Sequence, residues 1–382
     1  VSLPVYLDYA ATTPVDPRVA SAMAACLTQE GVFANPASRS HIYGWQAEEK
    51  VEHARRQVAD LLVADPREVV WTSGATESNN LAIKGVFEAA GYKGHLVTSV
   101  CEHKAVIDPA KWLEARGVDV TWLRPDANGV VPVADVRAAL RPDTRLVSLM
   151  HVNNEVGSVN PVAEIGALCR QESVLFHVDA AQSAGKLALD MEALQVDLLS
   201  LSAHKFYGPK GVGALYVRRA IARQLAPQIH GGGHERGLRS GTLPTHQLVG
   251  LGEAAAIARN QLAEDSERTA RLRDHLWSGI AGLAGVKRNG CPQAMSPIHL
   301  NVCFSGIDSE TLLLSLRDIA ISSGSACTSA SMEPSYVLKA MGLSDADAHS
   351  SVRISLGRFT TMADVDRAIE HIRTVIGKLA VA

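Results

Sequence analysis

The 382-residue sequence has no apolar run approaching the ~18 consecutive residues of a membrane-spanning helix, which excludes an integral helical membrane protein. It has no positive excess either. Lys and Arg number 37 against 40 Asp and Glu, a formal charge of −3 with His neutral, so the basic footprint of a general nucleic-acid binder is missing. Its six cysteines, Cys26, Cys101, Cys169, Cys291, Cys303 and Cys327, include no C-x-x-C pair. Spacing therefore indicates neither a zinc site nor a disulfide framework, and a reducing compartment is expected. Val1 to Tyr6 lack the charged and apolar regions of a secretory signal, which makes a cytoplasmic protein the expectation. Because the chain opens without an initiator methionine, a removed organelle presequence and a mitochondrial matrix location stay open. Internal repeats and low-complexity tracts are absent as well. What is present is ordinary globular usage, 47% apolar and 20% charged residues. At roughly 150 residues per domain, the length suits two or three domains, or a large α/β domain with a smaller satellite. These bulk features favour a small-molecule site.

Runs rich in Val, Leu and Ile alternate with helical patterns through the first two-thirds of the chain, the signature of βα units and a mostly parallel sheet buried on both faces. The expected strands are Val69 to Thr72, His95 to Val100, Val118 to Leu123, Leu146 to Val152, Val174 to Val178, Leu198 to Leu201 and Gly213 to Val217. Ahead of the first, Ala47, Val51, Ala54, Val58 and Leu61 recur at helical steps, leaving Glu48, Glu49, Glu52, Arg55 and Arg56 for solvent. From Pro244 to about Gly285 one or two long helices are expected. From Ile298 the pattern becomes a small α+β unit: strand, helix Ser309 to Asp318, strand Ile319 to Ser323, a Ser/Gly-rich loop, helix Tyr336 to Met341 and strand Val352 to Leu356. A final helix opens at Thr361-x-x-Asp364, a capping-box signal, with Val365, Ile369, Ile372, Ile376 and Leu379 on one face. The expected division is an N-terminal segment of the small domain (1–15), a large domain (16–260) and a small C-terminal domain (261–382).

Asp179 ends one expected strand and Lys205 follows another, 26 residues later. At neighbouring strand ends both would face the crevice at the carboxyl edge of the sheet, where α/β proteins bind ligands. Pyridoxal phosphate chemistry needs such a pair: an amine to hold the cofactor as a Schiff base and an acid to keep the pyridine nitrogen protonated. A surface lysine and an ordinary strand-end aspartate would read the same way. Thr72-Ser73-Gly74-Ala75-Thr76-Glu77 lies between a strand and a helix beginning near Thr76, where free N–H groups and the helix dipole could cradle a phosphate. Simple N-capping by Ser73 or Thr76 is the alternative. Ser202 and His204 could add donors, and His103, at another strand end, could stack on a planar ring and move protons. Arg353 suits a carboxylate clamp or a structural ion pair. The Gly-rich stretch from His230 to Thr242, with Arg236 and Arg239, suits anion handling, a subunit contact or a solvated linker. In the ten residues from Ser322 to Ser331 no side chain is larger than threonine, so a mobile loop presenting Cys327 as a reactive thiol is expected, with a buried inert cysteine as the alternative.

Taken in order, Leu7-Asp8-Tyr9-Ala10-Ala11-Thr12-Thr13-Pro14, Asn35-Pro36-Ala37-Ser38, Thr72 to Ser78, Glu102-His103-Lys104, His151 to Glu155, His177 to Gln182, Ser202-Ala203-His204-Lys205 and Ser323 to Ser329 resemble, over essentially the whole chain, the cysteine desulfurases of the iron–sulfur cluster assembly type. The resemblance implies a pyridoxal 5'-phosphate enzyme of fold type I, class V, with a large domain on a mostly parallel seven-stranded sheet and a small α+β domain. It implies a homodimer that converts L-cysteine to L-alanine and leaves a persulfide on its own Cys327. Position by position, Lys205 resembles the cofactor lysine, Asp179 the pyridinium partner, and His103 the stacking histidine and proton shuttle. Gln182 resembles the partner of the cofactor's phenolic oxygen, and Ala75, Thr76, Ser202 and His204 resemble phosphate contacts. Thr242 resembles the residue that reaches the neighbouring subunit's phosphate. Asn154 and Arg353 resemble substrate contacts, Asn154 also touching the cofactor, with Asn35 assisting.

No intrinsic metal is implied, although Cys327 could be a transient cluster ligand. An iron–sulfur scaffold and other sulfur acceptors, including those for tRNA thiolation, are the implied partners, with no direct contact to nucleic acid or membrane. Two departures stand out. Ala203 replaces the glycine common before the His-Lys pair, which is tolerable if its φ is negative. The sequence stops at Ala382, where bacterial members continue into a scaffold-docking tail, so weaker scaffold binding is expected. A selenocysteine lyase or a class V aminotransferase is the alternative activity, sharing Lys205 and Asp179 without needing Cys327.

Overall fold

The computed structural model describes residues 3–323 and 334–379. Its strands are β1 (Val5–Tyr6), β2 (Val69–Thr72), β3 (His95–Ser99), β4 (Asp119–Leu123), β5 (Thr144–Met150), β6 (Leu175–Asp179), β7 (Leu198–Ser202), β8 (Gly213–Val217), β9 (Val286–Asn289), β10 (His299–Phe304), β11 (Ile319–Ala320) and β12 (Ser351–Ser355). Its α-helices are α1 (Pro17–Ala24), α2 (Ile42–Leu62), α3 (Ala75–Ala89), α4 (Lys104–Glu114), α5 (Val133–Ala139), α6 (Val162–Gln171), α7 (Thr245–Ile280), α8 (Ser309–Ser315), α9 (Tyr336–Ala340), α10 (Asp345–His349) and α11 (Met362–Leu379). All seven strands expected before residue 220 are present, with ends displaced by at most two residues. They form one sheet in the order β2-β8-β7-β6-β5-β3-β4, in which β8 is antiparallel to both neighbours and the other pairs are parallel.

Helices cover both faces of this sheet, which is why β2, β3, β7 and β8 are buried at every position. One face packs on Val51, Ala54 and Val58 of α2, Ile165 and Leu168 of α6, and Leu248 and Leu251 of α7. The other packs on Leu81, Ile83 and Phe87 of α3 with Val106 and Leu113 of α4. Because β2 is antiparallel to β8, it runs in the same sense as β7. Thr72 and Ser202 therefore end at one edge, both opposite Gly213.

A separate core joins Val5 and Leu7 to Leu272 and Leu276 in the second half of α7, to Leu300 and Val302 of β10, and to Ile369 and Ile372 of α11. It lies against the antiparallel sheet β12-β10-β9 and the parallel pair β1-β11. The long segment after Pro244 is one helix of 36 residues. The start of α11 carries the reciprocal bonds of a capping box, Asp364 N–H to Thr361 Oγ1 at 3.1 Å and Thr361 N–H to Asp364 Oδ2 at 3.0 Å. Strand β9 and helix α10 have no counterpart in the sequence reading.

The α2 periodicity holds, but Arg55 does not face solvent as expected. It is 4% exposed, donates to both carboxylate oxygens of Glu235 at 2.7 and 3.0 Å, and lies 5.0 Å from the Trp71 ring centroid. Its partner is 180 positions away, beyond what local periodicity can register.

Candidate active site

Strand ends at the carboxyl edge of the large sheet enclose a cavity of about 570 Å³. Asp179, at the end of β6, has both carboxylate oxygens held: Oδ1 accepts from Ala181 N–H at 2.9 Å and Oδ2 from the Asn79 amide at 2.8 Å. Lys205 sits in a 3₁₀ turn (Ala203–Lys205) directly after β7, and its Nζ donates to the carbonyls of Ala10 and Ala11 at 2.7 and 2.8 Å. The N-terminal segment is tied to the same turn at two more points. Thr13 N–H donates to His204 O at 3.0 Å, and Thr12 Oγ1 lies 3.0 Å from His204 Nδ1. Ala203 is outside the positive-φ region, so the departure from glycine carries no backbone strain.

Across the sheet edge, α3 begins at Ala75 with no side-chain cap on its first turn, so neither Ser73 nor Thr76 is the N-cap. Gly74 holds that position at φ +150°, and a Cβ there would stand 3.6 Å from Ser202 Oγ. On the adjacent strand, a Cβ on Gly213 would lie 2.4 Å from Leu201 O and 2.7 Å from Gly74 Cα, so only glycine allows this approach. Uncapped N–H groups at a helix start, together with a serine hydroxyl, suit a phosphate. Glu77 is turned aside: it accepts from Ser73 N–H at 2.8 Å and from Arg239 Nε at 2.8 Å. The His204 imidazole is pushed down to about 4 by burial and then by Lys205, Lys210 and Lys186, so it is neutral at pH 7.

His103 caps α4 by accepting Ala105 N–H on Nδ1 at 3.1 Å, which puts the proton of the neutral ring on Nε2. On the other wall, Arg353 donates to Asp8 Oδ1 at 2.7 Å and to Asn154 O at 2.8 Å. Among the described residues, Arg353 Nε and Asn154 Oδ1 are buried without a partner, which leaves this wall with unmet hydrogen-bonding capacity. An amine, an acid, a phosphate cradle and an imidazole on one cavity fit pyridoxal phosphate.

The cavity is lined by ten of the expected residues: Ala75, Thr76, His103, Asn154, Asp179, Gln182, Ser202, His204, Lys205 and Arg353. Two are not brought there: Asn35 is exposed and its Oδ1 accepts Ala37 N–H at 2.9 Å, and Thr242 is exposed. Cys327 lies outside the described residues. The Gln182 amide donates to Ala10 O at 2.9 Å and its Oε1 accepts from Lys186 Nζ at 3.3 Å. Sequence reasoning gave no role to the carbonyls of Ala10 and Ala11, to Asn79 or to Lys186. The Leu7 to Pro14 motif was the available signal for the first two. Asn79 gave none, because its partner Asp179 is 100 positions away.

Fold and site define a fold type I pyridoxal phosphate enzyme. The chain belongs to the class V aminotransferase family, whose sequence profile matches residues 5–368. Within it, the cysteine desulfurase IscS of Shewanella woodyi is 60% identical over 380 residues, 99% of this chain and 94% of that protein. The enzyme of the same name from Shewanella sediminis is 58% identical over the same extent. Among solved structures, a NifS-like protein superposes with a TM-score of 0.90 at 37% identity, covering 100% of both chains. SspA in complex with cysteine gives 0.83 at 43% identity, covering 94% of this chain and 100% of that one.

Proposed function

We propose that this chain is a pyridoxal-phosphate-dependent cysteine desulfurase, which converts L-cysteine to L-alanine and takes the sulfur onto Cys327. The observation that carries the reading is the convergence of Lys205, Asp179 and His103 on one cavity, in a chain so similar along its length to cysteine desulfurases. When bound, the cofactor supplies an electron sink for the pair left at the substrate Cα. Lys205 holds the cofactor and, once free, removes the Cα proton, its Nζ oriented by the Ala10 and Ala11 carbonyls. Asp179, fixed by Asn79 and Ala181, keeps the pyridine nitrogen protonated. Ala75, Thr76, Ser202 and His204 hold the phosphate, and His103 stacks on the ring and moves protons through Nε2. Asn154 contacts the substrate on its cofactor side and Arg353 receives its carboxylate, with Asn35 assisting. The Cys327 thiolate attacks the substrate sulfur: an S–S bond forms, the C–S bond breaks with its electrons left on Cβ, and protonation of Cβ together with return of a proton from Lys205 to Cα yields alanine.

The same reading includes a homodimer in which Thr242 serves the partner's phosphate site. Its support is that Thr242 is exposed, belongs to a Gly-rich loop and does not line its own chain's cavity. It also includes the division into 1–15, 16–260 and 261–382, supported by the separate core that joins Val5 and Leu7 to the C-terminal elements. A cytoplasmic location and delivery to an iron–sulfur scaffold or other acceptors complete it; no helix among the described residues is long and apolar enough to cross a membrane. Borohydride reduction with peptide mapping tests the chemistry. A pyridoxyl group on Lys205, with alanine as the product from L-cysteine, is expected; label on another lysine, or a keto acid product, would overturn the reading.

A further inference from the structure

A second lysine stands behind the cofactor site. Lys186 is 8% exposed, and its hydrogen-bond acceptor among the described residues is Gln182 Oε1, at 3.3 Å. Gln182 in turn donates through Nε2 to Ala10 O at 2.9 Å, the same carbonyl that receives Lys205 Nζ at 2.7 Å. The chain Lys186, Gln182, Ala10, Lys205 thus links the buried amine to the reactive one through two shared partners.

Among the described residues, the titratable groups that act on Lys186 are cations or imidazoles, His204 of the turn after β7 among them. Lys205 comes from the turn after β7, Arg353 from β12 with its own charge taken by Asp8, and His299 from β10. Arg259 and Arg273 of α7 line the outer groove that Lys186 also borders. Burial, then repulsion from Lys205 and Arg353, push the Lys186 ammonium down to about 7. A buried cation without a carboxylate is a poor choice for stability, since an apolar side chain would fill the volume at lower cost.

Resting on the reading of the cavity as a pyridoxal phosphate site, we propose that Lys186 is a positioning residue: it pins the carboxamide oxygen of Gln182, so that the amide NH₂ is turned to the Ala10 carbonyl beside Lys205. A carboxamide presents a donor end and an acceptor end of nearly equal shape, so a donor on one side is what selects its orientation. The interaction between the two amines is mutual. An ammonium on Lys186 therefore also disfavours a proton on the nitrogen that Lys205 contributes to the bound cofactor.

The test is the pH titration of the cofactor absorbance in the holoenzyme. Lys186→Met should raise its midpoint by about half a pH unit or more, and Lys186→Arg, which keeps charge and donor, should return it toward the wild-type value. An unmoved midpoint in Lys186→Met, even with a lowered melting temperature, would overturn the role, because a merely structural lysine would shift stability alone. Should Lys186→Met fail to fold, the side-chain amide resonance of Gln182 in the wild-type holoenzyme decides. It should shift as Lys186, pushed down from its ordinary value by burial, loses its proton, and a flat response across the whole pH range in which the holoenzyme stays folded would contradict the proposal. Mapping the pyridoxyl label in the same samples separates the two readings. A label absent from Lys205 refutes the cofactor site, whereas a label on Lys205 with an unmoved midpoint refutes only the role of Lys186.

Discussion

Arg55 and Glu235 show how a charged side chain is accommodated in the core. The guanidinium is bidentate on the carboxylate and also donates to Val69 O at 2.9 Å, while Glu235 accepts Trp71 N–H at 2.9 Å. The pair fastens the Gly-rich stretch to α2 and β2. Glu235→Ala leaves the buried Arg55 with only the half-exposed Glu52 as counter-charge, 3.0 Å from its Nε, and urea denaturation should show a loss at the low end of the about 3–5 kcal/mol of a broken buried pair. A loss below about 1 kcal/mol would mean that solvent relieves the charge instead. Such residues mark the limit of sequence reading at this scale. Asp179 and Lys205 were legible as strand-end residues because strand ends are recognisable locally, but only the family resemblance separated them from an ordinary aspartate and a surface lysine. Arg55 and Asn79 were not legible, because their partners lie 180 and 100 positions away; Lys186 was not, because its partner Gln182 is only four residues away but the burial that gives the contact its weight is supplied by the tertiary fold.

At the scale of elements, β6 is tied to its neighbours by more than its backbone ladder. His177 lies 2.8 Å from Ser148 Oγ of β5 and 3.0 Å from Ser200 Oγ of β7, and burial pushes its imidazole down to about 4. With an unfolded value near 6.5 above the folded one, the unfolded chain binds the extra proton between them. The stability His177 contributes is therefore full above about pH 6.5 and is lost as pH falls toward 4. The stability difference between wild type and His177→Gln should shrink over that interval; a difference independent of pH would show that the ring is not held neutral. Helix α11 offers a simpler case, because its start was readable from Thr361 and Asp364 alone. Thr361→Ala should cost about 1 kcal/mol in the same denaturation assay, and no measurable cost would mean that the cap is redundant with packing. Elements with a strong period, a cap or a continuous apolar run were thus legible, and the seven strands of the large sheet were read from such runs. Strand β9, with Lys287 and Arg288 in four residues, and the five-residue α10 carry too short a pattern to separate from loop.

For the whole molecule, the single chain builds the cofactor pocket but leaves Thr242 and Asn35 outside it. If a dimer completes the site, mixing Lys205→Ala and Thr242→Ala subunits gives heterodimers with one site free of both lesions, and activity returns. If Thr242 serves its own chain, neither site is intact and mixing restores nothing. The central claim is that sulfur leaves the substrate through Cys327, and the most direct measurement is alanine release from L-cysteine by wild type and by Cys327→Ser, each loaded with cofactor. The wild type should release alanine repeatedly in the presence of a thiol reductant. The variant should bind cofactor and cysteine, with the accompanying change in the cofactor spectrum, yet release almost none; alanine from Cys327→Ser at the wild-type rate would contradict the account.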